Sequence, residues 1–127
     1  MATHYTIDVQ TRSVRISYSG SVTIAEMYEG RRQMLADPLF DRTFCHLVDT
    51  RSVATIEMNG FTIKDFAQEQ VLAGGGRRAI VVPRSPDTAL ARMFQIYRQV
   101  AGGEEKTEIF RDMEDARKWL GLPPKDP

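Results

Sequence analysis

Cys45 and His46 are the side chains of this sequence with the widest chemical range, a thiol next to an imidazole. They are neighbours in an apolar run that reads as a strand, where successive side chains point to opposite faces. They therefore cannot act on each other as nucleophile and base. The expected roles are a small buried thiol and a packed or hydrogen-bonded core histidine. The chain has one cysteine and two histidines, so a zinc site would have to recruit carboxylates from unrelated elements. No metal or other cofactor is expected. Gly74-Gly75-Gly76-Arg77-Arg78 has the composition of a phosphate loop in the wrong order. A phosphate loop follows a strand, opens a helix and ends on Lys-Ser or Lys-Thr. This run follows a helix and precedes a strand, so helix termination and a tight turn account for it.

The remaining polar candidates gather where strands end. Asp49 and Arg51 follow the third predicted strand, Arg84, Ser85 and Asp87 the fourth, and Arg111 and Asp112 the fifth. Open α/β sheets bind ligands beyond the carboxyl ends of their strands, and helix N-termini pointing the same way favour anions. Asp49, Arg51, Arg84 and Ser85 are thus candidate contacts for a small anionic ligand or an acidic partner loop. The competing reading makes Ser85 and Asp112 helix caps, Asp49 the organiser of its own turn, and the arginines solvated. Arg92 lies among apolar neighbours of a helix, where its stem can cover apolar surface or its head can pair with a carboxylate; it is also a candidate contact. Met27, Met34, Met58, Met93 and Met113, with the aromatics, would line an apolar pocket or simply fill the core.

The elements that must position these residues follow from periodicity. Thr3 to Val9 and Ser13 to Ser19 alternate and are rich in β-branched residues, and the short turn at Gln10-Thr11-Arg12 predicts an antiparallel hairpin. Thr23-Ile24-Ala25-Glu26 reads as a capping box opening a helix that carries Ile24, Met27, Tyr28 and Leu35 and stops before Pro38. Gly30 should weaken that helix by about 1 kcal/mol relative to Ala. Phe44 to Asp49 has no alternation, as expected of a strand covered on both faces. Phe61 to Leu72 predicts a second helix with Ile63, Phe66, Ala67 and Val71 on one side. Arg78 to Pro83 is the next strand. Ser85-Pro86 opens a third helix with an apolar stripe of Leu90, Met93, Phe94, Tyr97 and Ala101. Thr107 to Arg111 is a last strand, and Asp112 caps a final helix that ends at Gly121 and Pro123. Alternation of this kind predicts a mostly parallel sheet, mixed by the opening hairpin, with helices packed on it.

Composition narrows the functional classes. The 127 residues suit one domain, expected over residues 1–122 with a frayed tail at 123–127. Lys+Arg and Asp+Glu number 17 each, so the formal net charge is zero, without the basic excess of a nucleic-acid binder. The basic pairs Arg31-Arg32 and Arg77-Arg78 have balancing acids close by. Met1 to Gln10 has no basic region followed by an apolar run, and no stretch approaches the roughly 20 apolar residues of a membrane helix. A cytoplasmic protein without membrane insertion is expected, and the single cysteine suits a reducing compartment.

Several stretches in this order resemble a known family. They are Leu47-Val48-Asp49-Thr50-Arg51, Arg78-Ala79-Ile80-Val81-Val82-Pro83, Ala91-Arg92-Met93-Phe94, Ile109-Phe110-Arg111-Asp112 and Glu114-Asp115-Ala116-Arg117-Lys118-Trp119-Leu120-Gly121. Together they look like the small bacterial SpoIIAA-like proteins, a branch of the STAS fold, from about Tyr5 to Leu122. The resemblance implies an α/β fold with a mixed, mostly parallel sheet of four or five strands and about four helices. Its better-understood relatives are anti-sigma factor antagonists, switched by phosphorylation of a serine just before a glycine at the start of the helix after the third strand. Here Asn59-Gly60 stands in that place, and an amide cannot be phosphorylated. Ser52 and Thr55 are nearby hydroxyls out of register.

Three functional classes follow. One is a non-enzymatic interaction module that binds a protein partner or self-associates. The second is a carrier or sensor of a small apolar or anionic ligand, for which folds of the CRAL-TRIO lipid-transfer type are a precedent; it requires a closed apolar pocket of at least about 300 Å³. The third is an enzyme, which no aligned acid/base pair or metal cluster supports. A partner-binding module should instead show an exposed apolar patch near the second or third helix.

Overall fold

A computed structural model of the chain describes residues 2–57, 60–84, 89–102 and 104–124. It contains β1 (Thr3–Asp8), β2 (Ser13–Thr23), α1 (Ile24–Ala36), β3 (Cys45–Glu57), α2 (Gly60–Gln68), β4 (Arg77–Val81), α3 (Ala89–Val100), β5 (Lys106–Phe110) and α4 (Met113–Leu120). The five strands lie in chain order, β1-β2-β3-β4-β5. The β1–β2 pair is antiparallel and the other three pairs are parallel. This is the mixed, mostly parallel sheet that the alternation predicts.

Local chemistry sets the joints. Asp8 accepts from the backbone N–H groups of Gln10 and Thr11 and holds the hairpin turn, with Arg12 in a left-handed conformation at φ 55°. Thr23 accepts from the Glu26 N–H at 3.1 Å while the Glu26 carboxylate accepts from the Thr23 N–H at 3.1 Å, the reciprocal capping box. Asp112 caps α4 through the N–H groups of Glu114 and Asp115, and Gly121 ends it at φ 77°. Gly30 has a positive role inside α1. A Cβ there would stand 3.1 Å from the Thr3 hydroxyl, so the glycine lets α1 lie close to β1.

Successive neighbouring strands joined by right-handed crossovers place their helices on one face. Met27 of α1, Ile63, Phe66 and Ala67 of α2 and Phe94 of α3 accordingly pack over Val48, Ile80 and Val82. The alternate strand residues Leu47, Ala79 and Val81 face the other way and are covered by Met113 and Ala116 of α4. A third cluster, Val14, Met34, Phe44 and Val71, closes the β1 end.

Three elements differ from the sequence expectation. β2 and β3 continue well past Ser19 and Asp49, pairing from Ser19↔Ser52 to Thr23↔Glu57 across two irregularities in register. Beyond Tyr18 and Asp49 this pair has no other strand beside it among the described residues, and it forms a two-stranded parallel ribbon. Its polar composition hides it from periodicity; Val22, Val53 and Ile56, packed on the core, and a hydroxyl pair between Thr55 and Ser21 hold it. α2 ends at Gln68 rather than Leu72. The Arg98 guanidinium donates to the Ala67 and Gln68 carbonyls, which satisfies the end of the helix, and Val71 and Leu72 reach the core from a turn.

Candidate ligand-binding cavity

A cavity of about 830 Å³ lies between the sheet and the helices α1, α2 and α3 and opens to solvent. Apolar side chains supply most of its walls, among them Ile16, Met27, Val48, Ile63, Ile80 and Phe94. Thr3, His4, Tyr5, Gln33, Thr50 and Thr55 also line it, with four further polar side chains: Tyr18, Arg31, His46 and Arg78. Each arrives from a different element of the framework: Tyr18 from β2, Arg31 from α1, His46 from β3 and Arg78 from β4.

These groups are buried. The Arg31 side chain is 8% exposed, Arg78 5% and His46 1%. Aromatic faces support both cations: the Arg31 guanidinium carbon lies 3.5 Å from the Phe66 ring centre and that of Arg78 5.1 Å from the Phe94 ring centre. Arg31 also pairs with the half-exposed Glu69 at 3.4 Å, and Arg78 donates to the Thr107 hydroxyl at 3.2 Å. Burial lowers the pKa of Arg31, and it lowers Arg78 to about 10, which leaves Arg78 charged at neutral pH. Burial, then the charges of Arg78 and Arg31, lower His46 to about 3, so its imidazole is neutral. Its Nε2 is buried without a hydrogen-bond partner. Burial also raises the Tyr18 hydroxyl, which stays protonated.

A second buried pair stands behind this wall. Arg98, 3% exposed, forms an ion pair with Glu105, and Glu105 also acts electrostatically on Arg78. This pair ties α3 to the start of β5 and, through the Arg98 bonds to α2, fixes the two helices against each other.

The sequence-derived candidates lie elsewhere. Asp49 points to the α4 side of the sheet, where it accepts two bonds from the Arg51 guanidinium, both at 3.0 Å, and pairs with Arg15 at 3.3 Å. It also accepts from the Arg51 backbone N–H, so it organises its own turn. Arg84 is exposed and faces Asp112 at 3.7 Å. Arg51, Arg84, Arg111 and Asp112 surround a shallower depression of about 520 Å³ beyond the carboxyl ends of the strands. Arg92 is exposed on α3 and lines neither cavity. Asn59 and Ser85, with Met58 and Asp87, lie outside the described residues. The structure thus brings Arg51 and Arg84 together and sets Asp49 beside Arg51. Cys45 is half-buried rather than fully buried, and burial raises its thiol pKa.

Sequence reasoning misses Arg31, Arg78 and Tyr18 as cavity groups. A signal for them exists. Arg31 stands four residues after Met27 and three before Met34, both buried, and Arg78 alternates with Ile80 and Val82. In each basic pair one arginine is outside and the other must be inside.

The chain matches no family model and no curated protein sequence. Its architecture is nonetheless a SpoIIAA-like α/β fold. An uncharacterised protein of the DUF3478 family from Shewanella loihica PV-4, described as having a SpoIIAA-like fold, matches it with a TM-score of 0.58 at 17% identity, over 94% of this chain and 92% of that one. At that identity the likeness establishes the fold, which the sequence resemblance anticipates.

Proposed function

We propose that this protein is a non-enzymatic carrier or sensor that takes a small, largely apolar ligand into the cavity between its sheet and helices. The carrying observation is the cavity itself. Its volume of about 830 Å³ lies within the range of small-molecule sites, although it opens to solvent where a closed pocket is expected of a carrier. The walls are mainly apolar, with polar groups among them that can orient a guest. The buried titratable groups suit binding better than catalysis: His46 is neutral and held far from the pH range of a general base, and Arg78, lowered to about 10, keeps its proton near pH 7. Regulation through a protein partner is compatible with this reading. Ile96 and Val100 are exposed one turn apart on α3, a small apolar strip that a partner could cover.

Native mass spectrometry of the purified protein tests the reading, together with titration by an apolar fluorophore. The expected result is a co-purifying small molecule, or saturable one-to-one probe binding weakened by Ala91→Trp at the cavity wall. A bare monomer that also fails to bind apolar probes would overturn it.

A further inference from the structure

The structure assigns the cavity to a monoanionic amphiphile, a single carboxylate on an apolar body, whose head is held by Arg31 and Arg78. This inference rests on the proposed ligand-binding role and specifies its chemistry. Three observations carry it. The first is charge. Among the described residues, three buried guanidiniums, Arg31, Arg78 and Arg98, are met by two carboxylates, buried Glu105 and half-exposed Glu69. One positive charge is left over in the interior, where an uncompensated ion is strongly disfavoured. A monoanion balances it; a dianion would reverse the imbalance.

The second observation is the orphaned imidazole. His46 lines the cavity, and its Nε2 is buried with no partner among the described residues. Buried polar atoms are ordinarily satisfied. In the tautomer protonated at Nε2 this atom can donate to a carboxylate oxygen. The third is shape. A guanidinium presents a planar fork of donors that matches the two oxygens of a carboxylate. Phe66 and Phe94 hold the two forks by their faces; one nitrogen of each fork donates to Glu69 or Thr107, and the other N–H groups are left for a ligand. The apolar walls then receive the rest of the molecule.

Isothermal titration calorimetry with decanoate and with 1-decanol separates the two levels of the argument. Decanoate should bind roughly 10- to 100-fold more tightly than decanol, the ratio expected of charge-assisted hydrogen bonds. Arg78→Met and Arg31→Met should each remove most of that ratio while leaving decanol affinity within about twofold. Equal affinities for decanoate and decanol in the unaltered protein would overturn the anionic head and leave the apolar cavity reading standing. Binding of neither compound would overturn both. The comparison in the unaltered protein needs no variant, so it decides the matter even if a substitution prevents folding. Loss of decanol and decanoate binding in equal measure in both folded variants would show that the arginines only shape the cavity, and would also overturn the inference.

Discussion

His46 should make this protein acid-sensitive over a defined window. Its folded-state pKa is about 3, against an ordinary value of 6.5, because burial disfavours the imidazolium and Arg78 and Arg31 repel it. The unfolded chain therefore binds a proton between pH 6.5 and pH 3 that the folded chain refuses. Stability from this group is fully present above pH 6.5 and falls as the pH drops toward 3. At pH 4.5, two units below the unfolded value, the loss is two steps of about 1.4 kcal/mol, or about 3 kcal/mol. That is a large part of the 5–15 kcal/mol or so that holds such a domain folded. The perturbation is His46→Leu, which removes the titrating group. Urea unfolding followed by circular dichroism at pH 7.5 and pH 4.5, at equal ionic strength, gives the stability difference for each protein. Any constant packing effect of the substitution cancels, as do the carboxylates common to both. The unaltered protein should lose about 3 kcal/mol more than the variant between the two pH values. Parallel losses in the two proteins would refute the assignment of a neutral, desolvated His46.

Arg98→Met should destabilise the fold by about 3–5 kcal/mol, because it strands the buried Glu105 carboxylate, while Arg98→Met combined with Glu105→Leu should recover most of that loss in chemical denaturation. Equal losses in the single and double variants would refute the role of an uncompensated charge. Thr23→Ala removes the acceptor for the Glu26 N–H and should cost about 1 kcal/mol, seen as a fall of about 4 °C in Tm. Cys45 is half-buried with a raised thiol pKa, so it should react with a disulfide reagent at pH 7.5 far more slowly than the same thiol in urea-unfolded protein. Equal rates would show that the thiol is open.

Much of the fold is legible in the sequence because period and punctuation agree. Val14, Ile16 and Tyr18 alternate, Thr23 and Glu26 stand at capping-box spacing, and Asp112 and Gly121 bracket α4. The ribbon beyond Ser19 and Asp49 is not legible, since Ser19, Gly20, Ser21 and Ser52 have little strand character and are ordered by their partners. The early end of α2 depends on Arg98, thirty residues further on, which no local pattern reports. The candidate site divides in the same way. Strand-end arginines stand out because the fold class says where to look. Arg31 and Arg78 are obscured because each sits beside another arginine, Arg32 and Arg77, and a basic pair reads as surface. Only the packing shows which member of each pair turns inward.

The strand order has a consequence for how the chain is made. Each strand emerges next to the one that synthesis has just completed, so the sheet can extend in the direction of translation without waiting for a later segment. The exception is the face bearing Leu47, Ala79 and Val81, which among the described residues is covered by α4, the last of the described elements. A nascent chain that has reached Phe110 carries a finished sheet with one apolar side still bare. In that interval the protein is most exposed to chaperone capture and to sticking to its own kind, and the eight residues of α4 end it.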